Sequence, residues 1–373
     1  MSPPQPAHLH FVQSTEPLTG GGLGRAAVEL HEAILGHGLP SRLVSTRGTG
    51  GDAIAGQNVH LYRRTGVDKA FYAPELKREA TKLVGEARYV HGHGFYVSTN
   101  WILGSEARRQ KRGLVLHPHG MFEPWILARS PFKKKVAHFL FEDANFRAAR
   151  LWRALTGKEA DQIRAQGITA PIVVAPNGIH LHAIDQAAGL PREPEILFLG
   201  RLHPKKGIDL LIEAFARLHR GYPEWRLVIA GPDEGGYLSE LFSLVDHYKL
   251  NDKVSFPGVL SGPAKYRALN QASLFALPSH SEGFSVAILE GMAARCPVIA
   301  THACNFPAIA SSGAGWVGEP TADSVERMLE EAISEDEEAR EQRGQAGREL
   351  VEGTYTWEAI AKTLIQACHE HCT

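Results

Sequence analysis

Twice along this chain an apolar, strand-like stretch runs into a glycine-containing loop and then an amphipathic helix. Each time, strand-like and helix-like segments go on alternating. The first series opens with "HLHFVQS" (8–14), a glycine loop and the helical "LGRAAVELHEAILGHG". It continues through the strands "SRLVST" (41–46), "ARYVHGHG" (87–94) and "GLVLHPHG" (113–120), a stretch over 131–168 predicted helical, and "PIVVAPNG" (171–178). The second opens with "EILFLGRL" and "GIDLLIEAFARLHRGYP", whose apolar Ile208, Leu211, Phe215 and Leu218 keep helical spacing. The strands "WRLVIAG", "KVSFPG", "SLFALPS" and "CPVIAT" follow, separated by helical segments. Such alternation predicts parallel sheets covered by helices. At 373 residues the chain is too long for one typical core. The expected architecture is α/β: two Rossmann-like domains with parallel sheets facing across a central cleft. The Pro/Asn/Gly break near 176–190 is the expected hinge.

Composition narrows the class. With 43% hydrophobic and 22% charged residues, the chain reads as an ordinary soluble globular protein. No apolar run approaches the roughly 20 residues of a membrane span. The start "MSPPQPAHLHFVQST" has neither a basic nor an apolar signal region, so a secretory signal is not expected and a cytoplasmic protein is. Four cysteines do not make a disulfide framework at this length. The net charge of −1 hides an asymmetry: residues 1–187 carry 23 Lys/Arg and 15 Asp/Glu, the remainder 17 and 26. A basic first half suits an anionic partner, either a phosphorylated substrate or a lipid surface; a chance imbalance of solvated faces is the alternative. Basic–aromatic repeats, zinc-finger spacing and a strongly basic pI are all missing, so nucleic acid is not an expected partner.

Four polar clusters fall at the carboxyl ends of predicted strands, where open α/β sheets bind ligands. "TGGGLGR" places Gly20, Gly21, Gly22 and Gly24 before the first helix, where backbone N–H groups can meet a phosphate. A plain tight turn explains it equally well. "GRLHPKKG" puts Arg201, Lys205 and Lys206 just before a helix N-terminus, where cations are unfavourable unless an anion joins them. "SEGFSVAILE" sets Glu282 and Glu290 around an apolar segment, with a helix expected to start near Phe284 and to offer the amides of Gly283, Phe284 and Ser285 to an anion. Carboxylates in such surroundings need partners. Two acceptors flanking a phosphate-binding N-terminus suit the two sugars of a nucleotide sugar; carboxylates bonded only to backbone are the alternative. Finally, His91 and His93 in "HGHG", and His117 and His119 in "HPHG", share faces by their period of two. Four imidazoles permit zinc, but no Cys or carboxylate is spaced to complete the set. One functional histidine with structural neighbours is the preferred reading.

These motifs, in this order and over nearly the whole chain, resemble the retaining glycosyltransferases of family 4, which have the GT-B fold. The Arg…Lys-Gly segment combined with Glu, seven residues, Glu is the specific part, and "HPHGMFEPWIL" is similar to a subgroup of bacterial polysaccharide assembly. The resemblance implies a donor diphosphate held by Arg201 and Lys206, and donor-sugar hydroxyls held by Glu282 with the amides of Gly283, Phe284 and Ser285. It places the ribose on Glu290, Gly21 and Gly22 over the phosphates, and His119 beside the anomeric centre. His119, Glu282, Arg201 and Lys206 are then the catalytic set. It implies an acceptor-side domain at 1–183 and a donor domain at 184–355, with the last helix (about 356–373) crossing back onto the first. Arg295-Cys296, and Ala308 after "CNFP", depart from the usual family pattern, outside the donor motif.

Without an Asp-x-Asp motif, no metal and no cofactor is expected. The implied activity is transfer of a hexose, glucose as the best guess, from a UDP-sugar (GDP-sugar second) to a glycan or lipid-linked glycan acceptor in polysaccharide biosynthesis. A sugar-nucleotide epimerase, a phosphorylase and a non-catalytic sugar-nucleotide-binding protein are the alternatives. "RSPFKKK" (129–135) with "VAHFLF" leaves a peripheral contact at the inner membrane face open beside an ordinary solvated helix start.

Overall fold

The computed structural model describes residues 7–48, 56–65, 71–123 and 142–372. The segment 129–141, on which the membrane-contact reading rests, lies outside them, as does most of "EPWIL". The chain divides into two compact units: residues 1–178 together with 357–373, and residues 179–356.

The first unit is built on seven strands: β1 (His8–Ser14), β2 (Ser41–Arg47), β3 (Val59–Arg63), β4 (Tyr89–His93), β5 (Gly113–His117), β6 (Leu151–Ala154) and β7 (Ile172–Val174). They lie in the order β3-β2-β1-β4-β5-β6-β7, and the described pairings are parallel. One face of the sheet packs Phe11, Val90, Leu114 and Trp152 against Leu76, Leu83 and Leu103 of the helices Pro74–Gly85 and Ser98–Arg109. The other face packs Val115 and Leu151 with Leu30 and Ile34 of the helix Pro17–Gly36. The same cluster takes in Trp357, Ile360 and Leu364, so the C-terminal helix Trp357–His371 completes this unit's core.

The 131–168 stretch is not continuously helical. Its described part, 142–168, holds the helix Asp143–Ala148, strand β6 and the helix Gly157–Ala165. Four residues with an arginine among them carry little strand signal, and β6 exists because β5 and β7 pair with it. Buried Arg153 is tolerated there because its Nε donates to Ala175 O at 2.6 Å and its Nη2 to Asn177 Oδ1 at 3.3 Å.

The second unit has six strands: β8 (Glu193–Leu199), β9 (Arg226–Ala230), β10 (Val254–Gly258), β11 (Ala272–Leu277), β12 (Val298–Thr301) and β13 (Gly315–Gly318). They run parallel in the order β10-β9-β8-β11-β12-β13. Ile208, Leu211 and Phe215, predicted as one helix face, are all fully buried in its core. In both sheets the winding direction reverses beside the first strand, between β1 and β4 and between β8 and β11. In open α/β sheets such a reversal, beyond the carboxyl ends of the strands, is where ligands bind.

Candidate functional site

In the second unit, the loops leaving β8 and β11 carry the predicted polar residues. After β8 the chain makes a short 3₁₀ turn, Pro204–Lys206, capped by His203 Nδ1, which accepts the Lys205 N–H at 3.0 Å. Gly207 follows in the left-handed region (φ 65°) and leads into the helix Ile208–Leu218. A Cβ at Gly207 would sit 2.1 Å from Pro278 O in the loop after β11, so only glycine lets the two loops approach so closely. The approach brings Lys206 Nζ to 2.6 Å from Glu282 Oε1. Ser279 Oγ donates to the same oxygen at 2.6 Å. Glu282 is 8% exposed, and its backbone is pinned through its N–H to Ala303 O at 2.9 Å and its C=O to Asn305 Nδ2 at 2.5 Å. Its Oε2 has no partner among the described residues. The carboxylate is thus anchored through one oxygen and open at the other.

Glu290 is held in the same way, with Lys265 Nζ 2.6 Å from its Oε1. Arg201 reaches Glu234 at 2.6 Å in an exposed ion pair. Such a pair contributes at most about 1 kcal/mol, so Arg201 can exchange partners at little cost. One expectation needs correction: the helix begins at Val286, not near Phe284. Ser285 is its N-cap, with Oγ accepting the Ile288 N–H at 3.4 Å, because a serine hydroxyl satisfies an orphan amide of the first turn that Phe284 could not. Gly283 and Phe284 lie in the preceding loop, and the amides at the helix start belong to Val286 and Ala287.

The glycine segment of the first unit is also not a simple loop. The helix runs from Pro17 to Gly36 and is interrupted only at Gly21, whose backbone is non-helical (φ 51°, ψ −143°). Its four glycines divide by environment. A Cβ on Gly20 or Gly24 would lie 2.2 or 2.4 Å from Ser14 O, so these two let the helix lie against the end of β1. Around Gly21 and Gly22 nothing lies within 4 Å of such a Cβ. Beside the segment, buried Glu16 pairs with Arg64 and accepts from Gly48 N at 2.9 Å and Thr19 Oγ1 at 2.8 Å. Burial alone would raise its carboxyl, but the hydrogen bonds and Arg64 outweigh that and hold it below the ordinary range.

Four histidines were expected on strand faces; the structure gathers six. His8 and His10 on β1 join His91 and His93 on β4, His117 on β5 and His119 just beyond it. Lateral neighbours stack: the rings of His10 and His91, and of His93 and His117, are each 4.3 Å apart and nearly parallel. Diagonal neighbours hydrogen-bond in two rows. In one row His8 Nδ1 meets His91 Nε2 at 2.9 Å, and His91 Nδ1 meets His117 Nε2 at 3.1 Å. In the other, His10 Nδ1 meets His93 Nε2 at 3.1 Å, and His93 Nδ1 meets His119 Nε2 at 3.0 Å. Burial is the first cause that keeps these rings neutral; repulsion from other histidines adds to it at most of them, and the Arg153 cation at His91, His93, His117 and His119. His119 falls to about 3 and His8 to about 4, and the others lie well below the ordinary value.

Nitrogens of His8, His10 and His91, and of His93, His117 and His119, come within 4.8 Å of one another, close enough to raise the question of a metal. Imidazole lone pairs lie in the ring planes, so the stacked rings in each trio do not converge on one point. The arrangement fits a hydrogen-bonded array better than a coordination shell. Two groups that sequence reasoning missed complete the local electrostatics. Glu142, accepting the Tyr96 N–H at 2.7 Å, is pushed up to about 7 by burial. Glu159, accepting from Gly120 N and Leu155 N at 2.5 and 2.6 Å, is also raised by burial.

Comparison with known proteins agrees with both units. The family model for glycosyl transferases group 1 matches residues 183–350, and that for a glycosyl transferase 4-like domain matches residues 21–178. The lipopolysaccharide core biosynthesis mannosyltransferase LpsB of Rhizobium meliloti is 31% identical over 232 residues, 57% of this chain and 65% of that protein. The putative colanic acid biosynthesis glycosyltransferase WcaL of Salmonella typhimurium is 28% identical over 59% of this chain and 56% of its own. The chain therefore spans less than two thirds of the length of these relatives. Among solved structures, a sucrose-phosphate synthase from Thermosynechococcus elongatus superimposes with a TM-score of 0.72 at 20% identity over 98% of both chains. Anabaena HepE in complex with UDP gives 0.75 at 17% identity over 97% of this chain and 99% of that one. With both halves matched by glycosyltransferase models and both sheets in the same doubly wound arrangement, the chain belongs to the family 4-type glycosyltransferases with the GT-B fold.

Proposed function

We propose that the protein transfers a hexose, with glucose the expected sugar, from a UDP-sugar to a hydroxyl of a glycan or lipid-linked glycan in polysaccharide biosynthesis, with retention of configuration. The observation that carries this reading is the Lys206–Glu282 pair at the strand-order reversal of the second sheet, 2.6 Å apart and largely buried. In this reading Lys206, still anchored to Glu282, turns a remaining N–H toward the donor diphosphate, and Arg201 leaves Glu234 to join it. Both cations stabilise the charge that grows on the departing phosphate. Glu282 Oε2 accepts a donor-sugar hydroxyl and Glu290 the ribose, with Gly283, Phe284 and Ser285 lining the loop between them. Gly21, Gly22 and His119 of the first unit serve the same reaction. With Glu282 committed to hydroxyls no carboxylate is assigned as nucleophile, and the reading is a front-face step. The anomeric carbon–phosphate oxygen bond breaks, its electron pair stays on the phosphate, that oxygen takes the acceptor's proton, and the new glycosidic bond forms on the same face.

The likeness to HepE, solved with UDP, supports a uridine donor. Thermal-shift binding against UDP-, GDP- and ADP-sugars selects the base, and transfer assays on Glu282→Ala and Lys206→Ala then test the site. Each variant should lower kcat/KM for the donor at least about tenfold, equivalent to about 1.4 kcal/mol. Values within threefold of wild type would mean the assignment is wrong.

A further inference from the structure

The two histidine rows differ at their ends. In the row His8–His91–His117 both terminal nitrogens, His8 Nε2 and His117 Nδ1, are buried and unpartnered. In the row His10–His93–His119 one end, His10 Nε2, is buried and unpartnered, while His119 is only half-buried. His119 Nδ1 has no partner among the described residues and is not among the sealed, unsatisfied atoms.

Each N···N contact needs one proton and one lone pair, and each neutral ring carries a single N–H. The second row therefore has two self-consistent arrangements. In one, every ring carries its proton on Nδ1: His10 donates to His93, His93 donates to His119, and His119 presents Nδ1–H outward. In the other, every proton sits on Nε2: His119 donates to His93, His93 to His10, and His119 presents a bare lone pair. Interconversion requires a proton to enter at His10 Nε2 as one leaves His119 Nδ1. No group meets His10 Nε2, so the row is a closed end rather than a wire. The first arrangement buries a bare nitrogen there; the second buries an N–H without an acceptor, the rarer kind of orphan in folded proteins.

We propose that His10 and His93 are positioning residues that hold His119 as the neutral Nδ1–H tautomer, so that it presents a hydrogen-bond donor and not a base. Stacking of His93 on His117 and of His10 on His91 keeps the ring planes aligned so that the in-plane bonds persist. The tautomer follows from the histidine geometry alone; only its consequence, that His119 donates to a substrate oxygen during transfer, rests on the proposed function. Neutral histidine in water favours Nε2–H, so the assignment is a departure that a spectrum detects.

The test is imidazole 15N NMR on the full-length protein at neutral pH, with the His119 signals assigned by their loss in His119→Asn. Wild type should show His119 protonated on Nδ1. In His93→Phe, which removes both ring nitrogens, His119 should revert to Nε2–H and kcat for transfer should fall about tenfold with KM changed less than twofold. In His93→Asn the amide can still donate to His119 Nε2, so the Nδ1–H tautomer and most of kcat should return. A merely structural role would damage both variants alike. A wild-type His119 carrying its proton on Nε2, or a His93→Phe protein that keeps Nδ1–H, overturns the proposal. Should His93→Phe fail to fold, the wild-type spectrum decides. If wild type turns over no nucleotide sugar, the glycosyltransferase reading falls while the spectrum still settles the positioning.

Discussion

Mild acid should destabilise the first unit, and the histidine rows set the size of the effect. His8, His10, His91, His93 and His117 are at most 1% exposed, and burial holds each of them neutral. In the unfolded chain such rings take up protons near pH 6.5. Folded, they resist until far lower, about 4 for His8. Their contribution is therefore fully present above about pH 6.5 and is lost as pH falls toward the folded values. At pH 5.5 each neutral ring costs about 1.4 kcal/mol, and the five together about 7 kcal/mol. Glu142 opposes this: pushed up to about 7, it destabilises the fold as pH rises, so acidification from about pH 7.5 to 5.5 recovers about 2 kcal/mol. Glu159, also raised by burial, acts in the same sense. The five rings less Glu142 leave a net loss on the order of 5 kcal/mol, which Glu159 reduces further, against the roughly 5–15 kcal/mol that holds a domain together. Urea titrations at the two pH values, followed by hydrogen exchange in peptides covering β1, β4 and β5, measure it. Glu142→Gln should steepen the dependence. A change below about 1 kcal/mol, or a gain in stability in acid, would refute the reasoning, because it would mean the rings are solvated or already protonated.

Two further predictions separate packing from ligand contact. Gly207→Ala should cost about 1–3 kcal/mol for the left-handed backbone, and it should raise the donor KM as the loop moves off Pro278 and takes Lys206 from Glu282; thermal melts and donor kinetics check both. Within the glycine segment, Gly24→Ala should destabilise by about 1–3 kcal/mol through its clash with Ser14 O. Gly22→Ala, with open space around it, should leave stability equal or up to about 1 kcal/mol higher, yet weaken donor binding.

Much of this architecture was legible because alternation of strand and helix is a local signal that adjacent residues carry. Five strands of each sheet followed from it, while the short β3, β6 and β13 did not; the buried face Ile208, Leu211, Phe215 and Leu218 followed from helical spacing. The start of the helix at Val286 was also within reach, since a serine just before "VAILE" is an ordinary N-cap, and reading the segment for an anion site obscured it. The partners of the two glutamates were not legible. Lys206 lies 76 residues before Glu282, and Lys265 lies 25 before Glu290. Only the order β8-β11 and the close approach at Gly207 bring Lys206 into reach. The histidine array failed for the same reason. "HLH", "HGH" and "HPH" repeat one spacing on three strands, and only the pairs His91/His93 and His117/His119 were put on one face. That β1, β4 and β5 lie side by side is a property of the strand order, so His8 and His10 gave no sign that they belonged with the rest.

The two reversals in strand order thus carry opposite electrostatics, and burial explains the difference. Lys206 and Glu282 stand on loops past the strand ends, where each neutralises the other and free acceptor atoms stay reachable. Charge survives there because it is paired. The imidazoles stand within the strands or at their very ends, next to one another and to the Arg153 cation. Ionising one would set it against its neighbours in a medium that solvates none of them. The cluster pairs its inner nitrogens only by staying neutral, with one proton shared across each diagonal contact. A neutral histidine at the end of such a row acts by direction: which nitrogen carries the proton decides whether it donates or accepts. The polarity of the row, set at its sealed end by His10, is therefore the property of the first unit on which the role of His119 turns.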